Sequence, residues 1–145
     1  MQHEPIYANL VSYEPIAREY IASVSQTYVH FECGMKLIGT KCCGINQDLR
    51  RVKWGIVELS NGGWFAFPNA DVGYDMTPRS LGMAIMLFLF EKFYLSARKH
   101  GLNAETKHFE ALLNQLSNYV YQLPNMDEIF RVHWALSWED RLKHA

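Results

Sequence analysis

"VKWGIVELSNGGWFAFP", residues 52–68, places two apolar runs around a Ser-Asn-Gly-Gly centre and closes on a proline. Val52 to Leu59 is rich in β-branched and aromatic residues, which suit a pleated, buried surface. Asn61-Gly62 is a preferred central pair for a two-residue type I′ turn, because both positions need positive φ. That turn predicts Ser60 opposite Gly63 and Leu59 opposite Trp64 on an antiparallel ladder. It also sends Phe65 and Phe67 to one face and Trp64 and Ala66 to the other. Pro68 cannot donate a ladder hydrogen bond, so the strand is expected to stop there.

Downstream, "NADVGYD" (69–75) reads as a polar loop, and "MTPRSLGMAIMLFLFEKFYLSARKHG" (76–101) as a helix with clear punctuation. Thr77 is the expected N-cap, Pro78 fits the first helical position, and Gly101 supplies a left-handed end. Arg98, Lys99 and His100 fall in the last turn, where cations favour the helix dipole. Residues 81–90 are apolar on every face, which predicts a helix running through the core. Asn103 is the expected cap of the next helix. Phe109, Leu112, Leu113, Leu116, Tyr119, Val120 and Leu123 form its apolar stripe, and Pro124 ends it. "NMDE" (125–128) has capping-box spacing, with Asn125 and Glu128 three apart. The last helix should bury Ile129, Phe130, Val132, His133 and Leu136.

Upstream the pattern is weaker. "EPIAREYIASVSQTY" (14–28) puts Ile16, Tyr20, Ile21, Val24 and Tyr28 near helical spacing, after Pro15. Residues 1–13 are expected to be extended or loosely held, and Gly34 to Gln47 to be irregular. The expected fold is therefore α+β over residues 1–145: an N-terminal helix, a small antiparallel sheet with an Asn-Gly hairpin, then three helices in one domain.

Composition narrows the function. The chain has 145 residues, 49% hydrophobic and 20% charged, long enough to bury about two-thirds of its unfolded surface. A formal net charge of -1 gives neither the basic excess of a nucleic-acid binder nor the carboxylate array of a DNA mimic. The three cysteines, Cys33, Cys42 and Cys43, are odd in number and include an adjacent pair, unlike a secreted disulfide framework. "MQHEPIYANL" has neither the basic start nor the apolar segment of a signal peptide, and the apolar run 81–90 is half the roughly 20 residues of a membrane span. The expectation is a cytoplasmic protein.

No catalytic motif stands out. His30, Cys33, Cys42 and Cys43 could on paper hold zinc, yet adjacent cysteines seldom converge on one ion, and buried or idle thiols are the simpler reading. A cysteine nucleophile paired with a histidine has no local motif behind it. Arg50, Arg51 and Lys53 form the one basic cluster, more simply a solvated strand entry than a phosphate contact. Asp71, Asp75 and Glu58 read as solvated carboxylates. His133, Trp134 and Trp138 read as core and rim packing.

The residues of the opening stretch also carry a resemblance. Trp54, then Leu59-Ser60-Asn61-Gly62-Gly63, then Pro68 five residues later, resembles the central motif of the ArdB/KlcA antirestriction proteins. "MTPRSLGMAI" (76–85) is similar to that family's segment opening its long core helix. "HFEALLNQLSNYVYQLPNMDEIFR" (108–131) resembles its later helix, short break and final helix. The three segments keep the family's order and cover about residues 52 to 135. The usual Asp-Tyr-Ser-Gly-Gly run before the Trp is replaced here by "GINQDLRRVKW", and residues 1 to 50 match weakly, so the likeness is to a divergent member. It implies a protein of mobile elements such as plasmids or prophages that relieves host type I restriction by contact with a restriction or DNA-processing complex. That action is non-enzymatic, without DNA mimicry, cofactor or metal. Trp54, Asn61, Gly62, Gly63 and Pro68 are then family-motif residues that shape the fold or touch the partner. The alternative is a small cytoplasmic enzyme or a metal- or ligand-binding domain using His30, Cys33, Cys42 and Cys43.

Overall fold

The structure is a computed structural model that describes residues 5–13, 54–68 and 76–143. Within these lie strands β1 (Ala8–Tyr13), β2 (Trp54–Leu59) and β3 (Trp64–Pro68), followed by helices α1 (Pro78–Lys99), α2 (Asn103–Tyr121) and α3 (Met126–Lys143). The strands form one antiparallel sheet in the order β1-β2-β3. This is the expected α+β arrangement of a small sheet and three helices. The helix expected over 14–28 lies outside the described residues. Part of the segment expected to be extended or loose is a full sheet strand: β1 pairs with β2 from Ala8↔Leu59 to Tyr13↔Gly55, with a bulge between Leu10 and Ser12.

The hairpin forms where predicted, but with a different turn. Glu58, not Leu59, lies opposite Trp64, and Gly55 lies opposite Phe67. The Leu59 N–H donates to the Gly63 carbonyl at 2.8 Å and the Gly62 N–H to the Leu59 carbonyl at 3.0 Å. The connection is thus a three-residue loop, Ser60-Asn61-Gly62, ending on a left-handed Gly62 with φ 92. The physical reason for the one-residue shift sits at the other end of the hairpin. Gly55 leaves room for the Phe67 ring, whose Cζ would lie 2.6 Å from any Cβ placed there. The two-residue turn would instead set Phe67 against Ile56 and Phe65 against the exposed Glu58. All five residues of β3 are buried, and in β2 only Glu58 is exposed.

Helix α1 follows its punctuation closely. The Thr77 hydroxyl accepts from the Ser80 N–H, Pro78 opens the helix, and Arg98 and Lys99 occupy its last turn. At the far end Gly101 has φ 69, its N–H donates to the Arg98 carbonyl, and the Leu102 N–H donates to the Ala97 carbonyl. That pair of bonds is a Schellman end, satisfying carbonyls that the helix itself leaves open. Every residue from Ser80 to Phe90 is buried. By length and composition α1 could cross a membrane, but 67% of the relevant window is buried inside the protein. Removing each large side chain of this run from water contributes about 1.5–3 kcal/mol.

The remaining helices pack on α1. Phe109, Leu112, Leu116 and Val120 are the buried line of α2, with Leu113, Tyr119 and Leu123 half-buried beside them. Ile129, Val132 and Leu136 are the buried line of α3. The expected cap Asn103 is already helical; Leu102 occupies the cap position without a side-chain bond. The Leu102 carbonyl accepts the first helical bond, from the Thr106 N–H, and a second bond from the Thr106 hydroxyl. Asn125 precedes α3 and its amide donates to the buried Ser80 hydroxyl at 2.9 Å, which also accepts from Thr77 Oγ1. The starts of α1 and α3 are joined through that one hydroxyl.

Gly82 is where α1 meets the sheet most closely. A Cβ there would lie 2.4 Å from Phe67 Cβ, 2.5 Å from the Ala66 carbonyl oxygen and 2.5 Å from Phe67 Cα. Two of these atoms are backbone, so no rotamer change relieves the overlap. Gly82→Ala should therefore destabilise the protein by about 3 kcal/mol, despite improving helix propensity. Urea unfolding measures it; an unchanged midpoint would mean that α1 can lift from β3 at little cost.

Candidate functional site

The motif residues converge on a single structural unit. Trp54 and Pro68 are paired across the open end of the hairpin, and both are buried. At the closed end the tip is fastened to α2. Asn61 Nδ2 donates to the Gln115 backbone carbonyl at 2.9 Å, and Gln115 Nε2 donates back to the Asn61 backbone carbonyl at 3.2 Å. Asn61 Oδ1 meanwhile accepts from the Gly63 N–H at 3.1 Å. Gly63 has no space for a side chain, because a Cβ would stand 2.7 Å from Gln115 Cβ. Asn61 thus serves turn and tertiary contact at once, which Asp or Ser could not do with the same donors and acceptor.

Gln115 has a counterpart two helical turns later. Gln122 accepts from the Ile6 N–H at 3.0 Å and donates to the Ile6 carbonyl at 2.6 Å, imitating a neighbouring strand. The next residue joins the hairpin tip: Tyr7 N–H donates to Ser60 Oγ, and Ser60 N–H to the Tyr7 carbonyl. The outward face of the tip is left with Glu58, Ser60 and Gly62, all exposed. Glu58 thus stands on a solvated sheet position, as its sequence context suggests.

A second polar cluster lies between α1 and α3. Glu91 Oε1 accepts from the Ser137 hydroxyl at 3.1 Å, and Glu91 Oε2 lies 3.3 Å from His133 Nε2. His133 and Ser137 are four apart, on one face of α3, both turned to α1. The His133–Glu91 contact has ion-pair distance without the alignment of a good hydrogen bond. The serine addresses the carboxylate and not the imidazole, so the Ser–His contact that activates a nucleophilic hydroxyl is not formed. As arranged, the trio links two helices. Sequence reading placed His133 in the packing and overlooked Glu91 and Ser137; their signal was a lone acid after the apolar run and the i, i+4 pair facing it. Trp134, read as rim packing, is 66% exposed and stands outside the core. Nearby, Tyr121 packs its exposed ring on Phe130 at 5.0 Å between centroids.

His30, Cys33, Cys42, Cys43, Arg50, Arg51, Lys53, Asp71 and Asp75 lie outside the described residues, as does the side chain of Trp138. Among the described residues no group of three or more His, Cys, Asp or Glu is placed to hold a metal ion. No protein-family model matches this chain, and no curated protein does.

Removing the Asn61 side chain at its amide tests the fastening of the tip. Asn61→Ala deletes the side-chain bonds to the Gln115 carbonyl and from the Gly63 N–H, leaving the Gln115 Nε2 bond to the backbone, and should lower stability by about 1–3 kcal/mol. Amide exchange at Gly63 should quicken at the same time. Unaltered exchange and an unaltered unfolding midpoint would show that the loop docks without Asn61.

Proposed function

We propose that this protein is an antirestriction protein, which relieves host type I restriction of incoming mobile DNA by binding a protein of the restriction complex. The action is non-enzymatic and does not imitate DNA. The observation that carries the reading is the likeness of three ordered segments, within residues 52 to 135, to the ArdB/KlcA proteins. The physical roles found for those segments support it. Hairpin 54–68 is closed by Trp54 and Pro68, meets the core helix at Gly82, and is fastened to the later helix through Asn61 and Gln115. Residues that match the family motif are therefore residues on which the packing depends, as expected of a shared scaffold. The net charge of -1 agrees with a mechanism other than DNA mimicry.

On this reading the motif supplies a rigid frame, and the contact surface is carried by side chains that the frame exposes. The test is plating of unmodified phage on a host with an active type I system, with the protein expressed or absent. Expression should raise plating towards that of modified phage, with no gain in a restriction-deficient host. Equal plating at confirmed expression of folded protein would overturn the reading.

A further inference from the structure

Asn61-Gly62 is the one Asn-Gly pair in the chain, and its chemistry does not depend on the reading above. Next to a glycine, an asparagine amide is open to attack by the following backbone nitrogen, which no side chain shields. The Gly62 nitrogen loses its proton and bonds to Asn61 Cγ, while the bond from Cγ to Nδ2 breaks and ammonia leaves. Water then opens the resulting succinimide at either carbonyl, leaving aspartate or isoaspartate at position 61. No oxidant or cofactor enters the balance.

In the folded protein each atom that must move is engaged. The attacking Gly62 N–H is held by the Leu59 carbonyl at 3.0 Å. The departing Nδ2 is held by the Gln115 backbone carbonyl at 2.9 Å, and the bond from the Gly63 N–H to Oδ1, at 3.1 Å, restrains the amide's rotation although it does not deactivate its carbon. A return bond from Gln115 Nε2 to the Asn61 carbonyl, at 3.2 Å, fixes the peptide between the two reacting residues. We propose that Asn61 is a deamidation site held in check by its docking on Gln115, so that it converts only when the hairpin tip opens from α2. Conversion is then one-way. Aspartate replaces the donor facing the Gln115 carbonyl with a negatively charged oxygen, and isoaspartate adds a methylene to a loop whose length sets the β2–β3 register. Either product keeps the tip from docking again in its original geometry.

The experiment follows Asn61 by peptide mapping during incubation of the full chain in mildly alkaline buffer. Three samples are compared: the folded protein, the same chain in strong urea, and folded Gln115→Met. That variant keeps the packing stem and the backbone carbonyl facing Nδ2 but removes the Nε2 bond that fixes the Asn61 carbonyl, and so loosens the tip. The folded wild type should convert at least about tenfold more slowly than the urea-unfolded chain, as expected for a site gated by local opening. Gln115→Met should convert several-fold faster than wild type while its circular dichroism stays native. Equal rates in folded and unfolded wild type would overturn the proposal, and so would a folded Gln115→Met that converts no faster. Should Gln115→Met fail to fold, wild type in urea below its unfolding transition decides. There, conversion should accelerate before the helical signal falls, and a rate that changes only with global unfolding would refute gating by the tip.

Discussion

The close approach of Gly82 to β3 is the constraint on which the other contacts depend. Helix and strand touch through backbone atoms there, so their separation is fixed by a missing side chain and not by adjustable packing. With that distance set, the helix runs on along the strand until Phe90 meets the edge of Trp64, ring centroids 5.5 Å apart. The ten residues between Leu81 and Phe90 are all buried. Such a helix has no polar face to spare, which explains why its sequence shows no amphipathic period. Its polar residues are collected at its ends, as the Thr77–Ser80 cap and as Glu91 onwards.

Helix α2 does the complementary work, and does it with two amides. Gln115 and Gln122, the second at the cap just past the helix's last residue, stand seven residues apart, and each binds backbone groups of the sheet region. The Gln122 amide both donates and accepts in the manner of a peptide unit, whereas at position 115 the side chain donates and the backbone carbonyl accepts. The hairpin tip and the segment leading into β1 are thereby attached to α2 and to its C-terminal cap. Phe65 adds an apolar contact between the two attachments, stacking on Tyr119 with ring centroids 6.4 Å apart.

What could be read in the sequence was what local chemistry determines. Thr77, Pro78 and Gly101 delimit α1 because capping and left-handed termination are properties of a few adjacent residues. The stripe from Phe109 to Leu123 predicts the buried line of α2 for a similar reason. The hairpin register was not readable, since Asn-Gly suits a two-residue and a three-residue loop almost equally. The choice was made by the Phe67 ring over Gly55, at the other end of the hairpin, and by Gln115, distant in sequence though bonded to the tip. Strand β1 escaped detection because "ANLVSY" is short and its partner lies far along the chain. Asn103 looked like a cap because its residue type favours one, yet the chain leaving the Schellman end is already turned at Leu102. Of the site, the motif residues were visible as a group, but their mutual contacts and the Glu91–His133–Ser137 trio needed three dimensions.

The attachment of β1 bears on the order in which the protein assembles. Strands β2 and β3 are neighbours in sequence, and closing their hairpin fixes few residues, so it can occur on a microsecond timescale. Pairing Ala8 with Leu59 must close a far longer loop, and the entropy of that closure falls due before its hydrogen bonds form. Among the described strands β1 then gains one sheet neighbour, together with the Gln122 and Ser60 contacts at its start. Strand β1 is thus the part of the described sheet whose pairing closes the longest loop and which joins after the hairpin. The hairpin is the template on which it pairs.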